Sequence, residues 1–146
     1  MPNKIISAHR LATQLPFAIY GVAGRVARMH KPFLDPLGLT FPQYLVMLEL
    51  YAGTPRYVGD LGTSLGMDTG TITPLLKRLE VCGMISRLRD PSDERRVIIN
   101  LTPTGEAIKE EVWNVAGQIK SACKMDEAGM ASLRDTLNDF ARPAVD

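Results

Sequence analysis

The sequence predicts a mainly α-helical fold with one two-stranded β-hairpin between residues 84 and 102. Three features support this prediction: apolar residues recur at helical spacing, prolines and glycines separate these stretches, and residues 97–101 form a largely β-branched run. The chain has 146 residues, of which 45% are hydrophobic and 23% are charged, and these values are typical of one globular domain. The composition therefore excludes a disordered tail and a disulfide-stapled miniprotein.

Helices account for the first part of the chain. Apolar residues recur every three or four positions over residues 15–29, and we expect Pro32 to end this amphipathic helix. Thr40 is a predicted N-cap for a second helix over residues 41–51. Residues 58–65 predict a third helix of about two turns.

The middle of the chain predicts a further helix and then the hairpin. Asp68 or Thr69 is expected to cap the helix, which ends at Gly83. Strands over residues 85–89 and 97–101 then flank a polar loop. A short helix, a turn of three residues and a longer helix form a helix-turn-helix, and the hairpin that follows makes it a winged helix-turn-helix.

Two more helices are expected after the hairpin. Thr102 followed by Pro103 is typical of a helix start, and apolar residues continue at helical spacing over residues 108–122. Asp126 is a candidate cap for the last helix. The apolar stripes of residues 15–29 and 108–122 are longer than one small winged domain can cover. They therefore predict either a dimer interface or packing of the two stripes on each other.

The helix after the predicted turn has two unlike faces. Its apolar residues fall on one side, and the opposite side is small, hydroxylated or cationic. Such a face suits the DNA major groove, because small residues allow close approach to base edges and cations contact phosphates or guanine. A solvated helix face is the alternative interpretation. The predicted DNA-binding residues here are Thr69, Gly70, Thr71, Thr73, Pro74, Lys77 and Arg78.

The hairpin is rich in arginine. A guanidinium at the tip of a thin hairpin suits the narrow minor groove, where the negative potential of DNA is strongest. Asp93 or Glu94 is expected to pair with a nearby arginine and orient it; the alternative is an exposed ion pair worth ~0–1 kcal/mol. The predicted DNA-binding residues of the hairpin are Arg87, Arg89, Asp93, Arg95 and Arg96.

These motifs resemble a known family. Residues 68–102, DTGTITPLLKRLEVCGMISRLRDPSDERRVIINLT, resemble the recognition helix and wing of the MarR family of bacterial regulators. Residues 14–48, QLPFAIYGVAGRVARMHKPFLDPLGLTFPQYLVML, are similar to the organic hydroperoxide branch of that family. The resemblance covers about residues 11–110. Its specific pattern is D-x-R followed by a strand and LT-x-x-G, formed here by Asp93, Arg95, Leu101, Thr102 and Gly105.

The resemblance implies a homodimer that binds a palindromic operator in double-stranded DNA. Family members mostly act as repressors, and they release DNA when they bind a small molecule or are oxidised. The implied organisation is N-terminal dimerisation helices over residues 1–40, a winged DNA-binding domain over 41–102 and C-terminal dimerisation helices over 103–146.

The chain departs from the branch at its sensing site. Members carry a reactive cysteine just before the motif F-A-[LI]-Y, and here that position is Pro16. Proline has no thiol, so peroxide chemistry is impossible at this position. Of the two tyrosines that accompany the cysteine in the family, Tyr20 matches one and His30 stands at the other position. A regulator that responds to peroxide through Cys123 or Cys82 is therefore one alternative.

The resemblance also implies a cleft between the dimerisation helices and the winged domain. A small aromatic or apolar effector is the partner expected there, and the same side chains could equally belong to the core. The candidate ligand-binding residues are Tyr20, His30, Phe33, Tyr44 and Met47.

Other classes of function receive no support from the sequence. The only histidines, His9 and His30, have no neighbouring acid or cysteine in a catalytic or metal-binding pattern, so we expect no enzyme, no metal and no cofactor. No apolar stretch reaches the roughly 20 residues of a membrane span, and two cysteines without a CxxC motif fit a reducing, cytoplasmic location. A winged helix that binds only protein partners is the second alternative, because it shares the fold but does not need the cationic face.

The net charge of +1 is unevenly distributed: cations exceed acids in residues 1–101 and acids exceed cations in residues 102–146. We therefore expect an anionic partner to bind the first two-thirds of the chain.

Overall fold

Seven α-helices and a small antiparallel sheet make up residues 10–142, the part of the chain that this computed structural model describes. The helices are α1 (Leu15–Leu34), α2 (Phe41–Ala52), α3 (Val58–Leu65), α4 (Thr69–Val81), α5 (Pro103–Ala107), α6 (Lys109–Ala122) and α7 (Glu127–Phe140). The strands are β1 (Arg56–Tyr57), β2 (Ile85–Asp90) and β3 (Asp93–Leu101), and their order in the sheet is β1-β3-β2. The predicted mainly α fold with a winged helix-turn-helix is confirmed. Residues 1–9, including His9, and residues 143–146 lie outside the described range.

Four of the seven α-helices begin at a capping side chain that the sequence predicted. Thr40 and Gln43 form a reciprocal capping box at α2, in which each side chain accepts a hydrogen bond from the backbone N–H of the other residue. Asp68, rather than Thr69, caps α4, and Thr102 and Asp126 cap α5 and α7. Each cap satisfies a backbone N–H that the helix itself leaves unpaired.

Some predicted boundaries were wrong. Helix α1 continues through Pro32 to Leu34, because His30 and Leu34 are buried in the core on this last turn and their packing offsets the one hydrogen bond that Pro32 cannot donate. The predicted helix from residue 103 is interrupted at Ile108, whose φ of −96° and ψ of 5° separate α5 from α6. The predicted polar loop of the hairpin shrinks to two residues between β2 and β3.

The core joins residues 41–102, which contain the helix-turn-helix and the wing and are called the winged segment below, to the helices before and after them. Its fully buried side chains come from α1, α2, α3, α4, α6 and the two long strands. They include Leu34, Met47, Leu50, Leu61, Ile72, Leu76, Leu79, Ile85, Ile99, Val112 and Val115. The two apolar stripes therefore have different roles. Val112 and Val115 are in the core of their own chain, whereas Leu15 and Val22 remain 55% and 48% exposed.

Gly105 lies where α5 passes close to the backbone that follows α4. Its N–H donates to the Thr102 hydroxyl, and its carbonyl accepts a hydrogen bond of 2.6 Å from the Tyr51 hydroxyl. A Cβ added at Gly105 would lie 2.1 Å from the backbone oxygen of Met84. Only glycine fits this position without moving the main chain.

Gly105→Ala should therefore destabilise the protein by roughly 1–3 kcal/mol, the usual cost of overpacking a tight site. Thermal or urea unfolding measures this loss. Gly117→Ala in α6 is the matched control, because its Cβ would meet nothing within 4 Å and alanine is favoured over glycine within a helix. Equal stabilities of the two variants would contradict the close approach at Gly105.

Candidate nucleic-acid interface

Helix α4 is oriented by its buried face. Ile72, Leu76 and Leu79 are at most 1% exposed and pack in the core. Because α4 buries only this one face, its opposite face is directed to solvent. The predicted face residues are exposed except for Thr73, which is half-buried; the exposed ones are Thr69, Gly70, Thr71, Pro74, Lys77 and Arg78.

The start of α4 is fixed by a carboxylate. The Asp68 side chain accepts a hydrogen bond of 2.8 Å from the backbone N–H of Thr71. Hydrogen bonding by Thr71 holds the pKa of Asp68 below its usual value, so the cap stabilises the helix above the usual pKa range of aspartate and is lost as the pH falls through the lowered value. The first turn, which carries the small and hydroxylated residues, is thereby held in place.

Pro74 lies inside α4 and faces solvent. Because proline has no N–H, the carbonyl of Gly70 lacks its usual partner four residues later. That carbonyl belongs to the exposed face, where water can satisfy it. The helix therefore accommodates Pro74 without breaking.

Arg95 extends from the wing into solvent, with a side chain that is 90% exposed. Asp93 orients it: Arg95 Nε lies 3.1 Å from Asp93 Oδ1, and Nη2 lies 3.3 Å from Oδ2. Hydrogen bonds from Arg95 lower the pKa of Asp93, so that carboxyl is ionised at neutral pH. Of the two acids expected to orient an arginine, Asp93 does so with its side chain, whereas Glu94 contributes its backbone carbonyl to Arg89 at 2.7 Å.

The other two arginines do not lie at the tip of the hairpin, and this corrects the expectation from the sequence. Arg87 is directed towards α4, where Nη1 lies 3.7 Å from Glu80 Oε1, and its Nε is buried without an acceptor in the described part of the chain. Arg96 covers the ring of Tyr57, with Cζ 3.5 Å from the ring centroid. Arg87 is half-buried and Arg96 is exposed, and both lie on the side of the hairpin that faces α3 and α4, because the hairpin loop is shorter than the sequence indicated.

A crevice of about 380 Å³ separates the wing from α4. Thr69 and Thr73 of α4 line one wall, and Arg87, Arg95 and Arg96 line the other. The structure thus brings together the two predicted groups of DNA-binding residues. Tyr57 and Asp90 were not predicted from the sequence. They join the wing to β1 through a hydrogen bond of 2.8 Å between Tyr57 Oη and Asp90 Oδ2.

The five candidate ligand-binding residues do not enclose a common cavity. The His30 ring forms its hydrogen bond within its own helix, where Nδ1 lies 2.7 Å from the Val26 carbonyl oxygen, and it packs 5.6 Å from the ring of Tyr44. Met47 is fully buried, and Phe33 is half-buried against the core. Tyr20 is 79% exposed.

A cavity of about 310 Å³ lies beside them instead, between α1 and the start of α2. It is lined by Ala27, Arg28, Lys31, Leu34, Asp35, Leu39, Thr40, Phe41 and Pro42.

Both cysteines are free thiols at helix ends. Cys82 is exposed after α4, and Cys123 is half-buried after α6. Within residues 10–142, no group of three or more histidine, cysteine or acidic residues is placed to hold a metal ion. None of the helices in the same range combines the length and the hydropathy that crossing a membrane requires.

Comparison with known proteins decides the family. The family model described as transcriptional regulator SarA/Rot matches residues 28–112. The organic hydroperoxide resistance transcriptional regulator of Bacillus subtilis is 38% identical over 137 residues, which are 94% of this chain and 92% of that protein. The chain belongs to the SarA/Rot family of transcriptional regulators.

Solved structures of other regulators support this assignment. Reduced AbfR bound to DNA has a TM-score of 0.74 and 36% identity, and the match covers 92% of this chain and 96% of that one. A mutant of MarR from E. coli has a TM-score of 0.65 and 28% identity, and the match covers 87% of this chain and 96% of that one. The resemblance to MarR-type regulators is thus confirmed. As a SarA/Rot family member the chain is a DNA-binding transcriptional regulator and not an enzyme, which overturns the alternative of a module for protein partners alone.

Proposed function

We propose that this SarA/Rot family regulator acts as a homodimeric repressor on a palindromic operator, in the cytoplasm of a bacterium. The observation that carries the proposal is the geometry of the wing, where Asp93 holds a highly exposed Arg95 next to the solvent face of α4. The two elements are placed to enter a major groove and the adjoining minor groove of one duplex.

The face of α4 divides into two parts. Thr69, Gly70 and Thr71 form its first turn, where a recognition helix meets base edges, and their small size permits close approach. Lys77 and Arg78 follow about two turns later, where cations contact phosphates. Arg87 lines the crevice between the wing and α4, so its guanidinium is a further candidate for a phosphate contact.

Arg95→Ala should weaken binding to a duplex that the wild-type protein selects from a random pool. Each arginine contact to DNA is worth on the order of 1–3 kcal/mol, which is roughly 5- to 150-fold. Because the dimer loses one such contact in each subunit, the slope of log K against log salt should fall by about 2. Gel shifts or fluorescence anisotropy at several salt concentrations measure both effects.

Arg134→Ala is the matched control for this experiment. Arg134 is also exposed and also paired with a neighbouring acid, at 3.2 Å from Asp135, but it lies on α7. If Arg95→Ala bound as tightly as the control, the proposed role of the wing would be wrong.

The dimer is supported by an uncovered apolar groove between α1 and α7. It measures about 490 Å³ and is lined by Leu15, Ala18, Ile19, Val22, Ala23, Val26, Phe41, Leu133 and Leu137. Large exposed apolar surfaces mark association sites, and two-fold homodimers are the commonest assemblies. A second copy that covers the groove would pair two winged domains, whose recognition helices need a spacing of about 34 Å, one turn of duplex.

Leu137→Asp should give a monomer in analytical ultracentrifugation, because it buries a carboxylate in an apolar interface. Operator affinity should fall at least about tenfold, since a monomer contacts only one half-site. Thr136→Asp adds the same charge on the same helix outside the groove and should remain dimeric. A dimeric Leu137→Asp protein would place the interface elsewhere.

We also propose that a small aromatic or apolar effector releases the DNA, and we move its site to the cavity between α1 and α2. The lining is mostly apolar, and Lys31 is already paired with Asp35 at 2.9 Å. Arg28 remains as a cation available to the cavity, which favours an effector with an acidic group. Thr40 in the same lining caps α2, so a bound molecule would contact the first helix of the winged segment.

Aromatic carboxylates should raise the thermal midpoint and weaken operator binding, while the corresponding neutral amides should not. At 100 times Kd a ligand stabilises by about 2.7 kcal/mol, which is several degrees for a chain of this size. Arg28→Gln should abolish the response. A release of DNA by organic hydroperoxide that disappears in Cys82→Ser or Cys123→Ser would instead favour the thiol alternative.

A further inference from the structure

Asp90, at the end of β2, is a carboxylate with only 9% of its surface exposed. Acidic residues are rarely buried unless they are paired. Here Oδ1 accepts from the Ser92 backbone N–H at 2.8 Å, and Oδ2 accepts from the Tyr57 hydroxyl at 2.8 Å. These two donors lower the pKa of Asp90 below its usual value, the backbone bond having the larger effect. The buried carboxylate is therefore ionised and anchored on both sides.

Arg96 lies against the same tyrosine. Its guanidinium carbon is 3.5 Å from the centre of the Tyr57 ring, which is a close cation–π contact. Tyr57 thus receives Arg96 on its face while its hydroxyl donates to Asp90. Three side chains from β1, β2 and β3 are held together beside the tip of the wing.

We propose that Tyr57, Asp90 and Arg96 form a latch that sets the position of the wing, and that Arg96 is a positioning residue rather than a groove contact. We call this cluster the wing latch. The proposal deepens the proposed function and rests on it, because the wing latch acts through the DNA contact of Arg95.

The sheet geometry explains why the wing needs such a restraint. Strand β1 pairs only with Ile98 and Ile99 of β3, so beyond this point β2 and β3 form a two-stranded ribbon. Such ribbons are marginally stable in water without further packing. The pairing of β2 with β3 is also irregular between Arg89 and Asp90. Asp90 of the wing latch lies at this irregularity.

Tyr57 connects the wing latch to the helix-turn-helix. Tyr57 is the residue that immediately precedes α3, the first helix of the helix-turn-helix. Arg95 directly precedes Arg96 in β3, so restraining Arg96 restrains the backbone that carries Arg95. A preorganised wing avoids the entropy loss of ordering on binding. Removing the wing latch should therefore weaken the same contact that Arg95→Ala removes.

A double-mutant cycle on operator binding tests this proposal. Tyr57→Phe keeps the ring under Arg96 but removes the hydroxyl that donates to Asp90. It should weaken binding about three- to tenfold, within the range for residues of one network, and by less than about twofold in the Arg95→Ala background. Arg96→Ala should weaken binding by the same amounts as Tyr57→Phe in the two backgrounds. In the Arg95→Ala background it should also leave the slope of log K against log salt unchanged.

Tyr51→Phe controls for stability alone. It also removes one tyrosine hydrogen bond, but this bond of 2.6 Å is to the Gly105 carbonyl in α5 rather than to a residue of the wing. Its effect on binding should be small and the same in both backgrounds.

Four results would overturn the proposal. Equal losses from Tyr57→Phe in both backgrounds, or no loss in either, would show that the wing latch does not act through Arg95. An additional reduction of the salt slope by Arg96→Ala in the Arg95→Ala protein would make Arg96 a DNA contact. Undiminished binding by Arg95→Ala alone would overturn the proposed role of the wing as well, so the two failures are distinguishable.

Discussion

The burial of one face of α4 is the constraint on which the interface depends. Ile72, Leu76 and Leu79 are enclosed by the core, so the helix cannot rotate without exposing large apolar side chains. Burying each such side chain contributes about 1.5–3 kcal/mol, which exceeds what any single exposed polar contact contributes. The polar face is therefore presented by the core rather than by its own interactions. Asp68 caps the start of the helix, so it fixes which residues form the exposed first turn.

The wing is stabilised by side-chain pairs rather than by a buried core. A two-stranded ribbon has little core of its own, and side-chain pairs hold it instead. Asp93 orients Arg95 within one strand, and the buried Asp90 ties the turn to Tyr57 across the sheet. Helix α4 and the ribbon of β2 and β3 then line the same crevice. Surface ion pairs are usually weak, so the function of Asp93 is better understood as orienting Arg95 than as stabilising the fold.

The sequence could predict those features whose hydrogen-bond partners lie close together along the chain. The caps at Thr40, Asp68, Thr102 and Asp126 involve partners within three residues, and the positive φ of 77° at Gly83 follows from its place after α4. The bond from Tyr57 to Asp90 joins residues 33 positions apart, and β1 is too short to show a period. Periodicity also identifies an apolar face without saying what covers it. That is why residues 108–122 proved to contribute to the core while the start of α1 stays uncovered, and why His30, Tyr44 and Met47 proved to be packed side chains.

A shared fold does not by itself supply sensing chemistry, because chemistry belongs to individual side chains. Pro16 lies in the first turn of α1, where the missing N–H has no helical partner to lose, so the helix forms with a residue that has no thiol at this position. At the other end of α1, the His30 ring packs 4.6 Å from Phe41, at the start of α2. This packed contact and the cavity beside it join the helix that presents the apolar groove to the first helix of the winged segment. This junction is one route from α1 to the winged segment, and a molecule in the adjoining cavity would contact both sides of it.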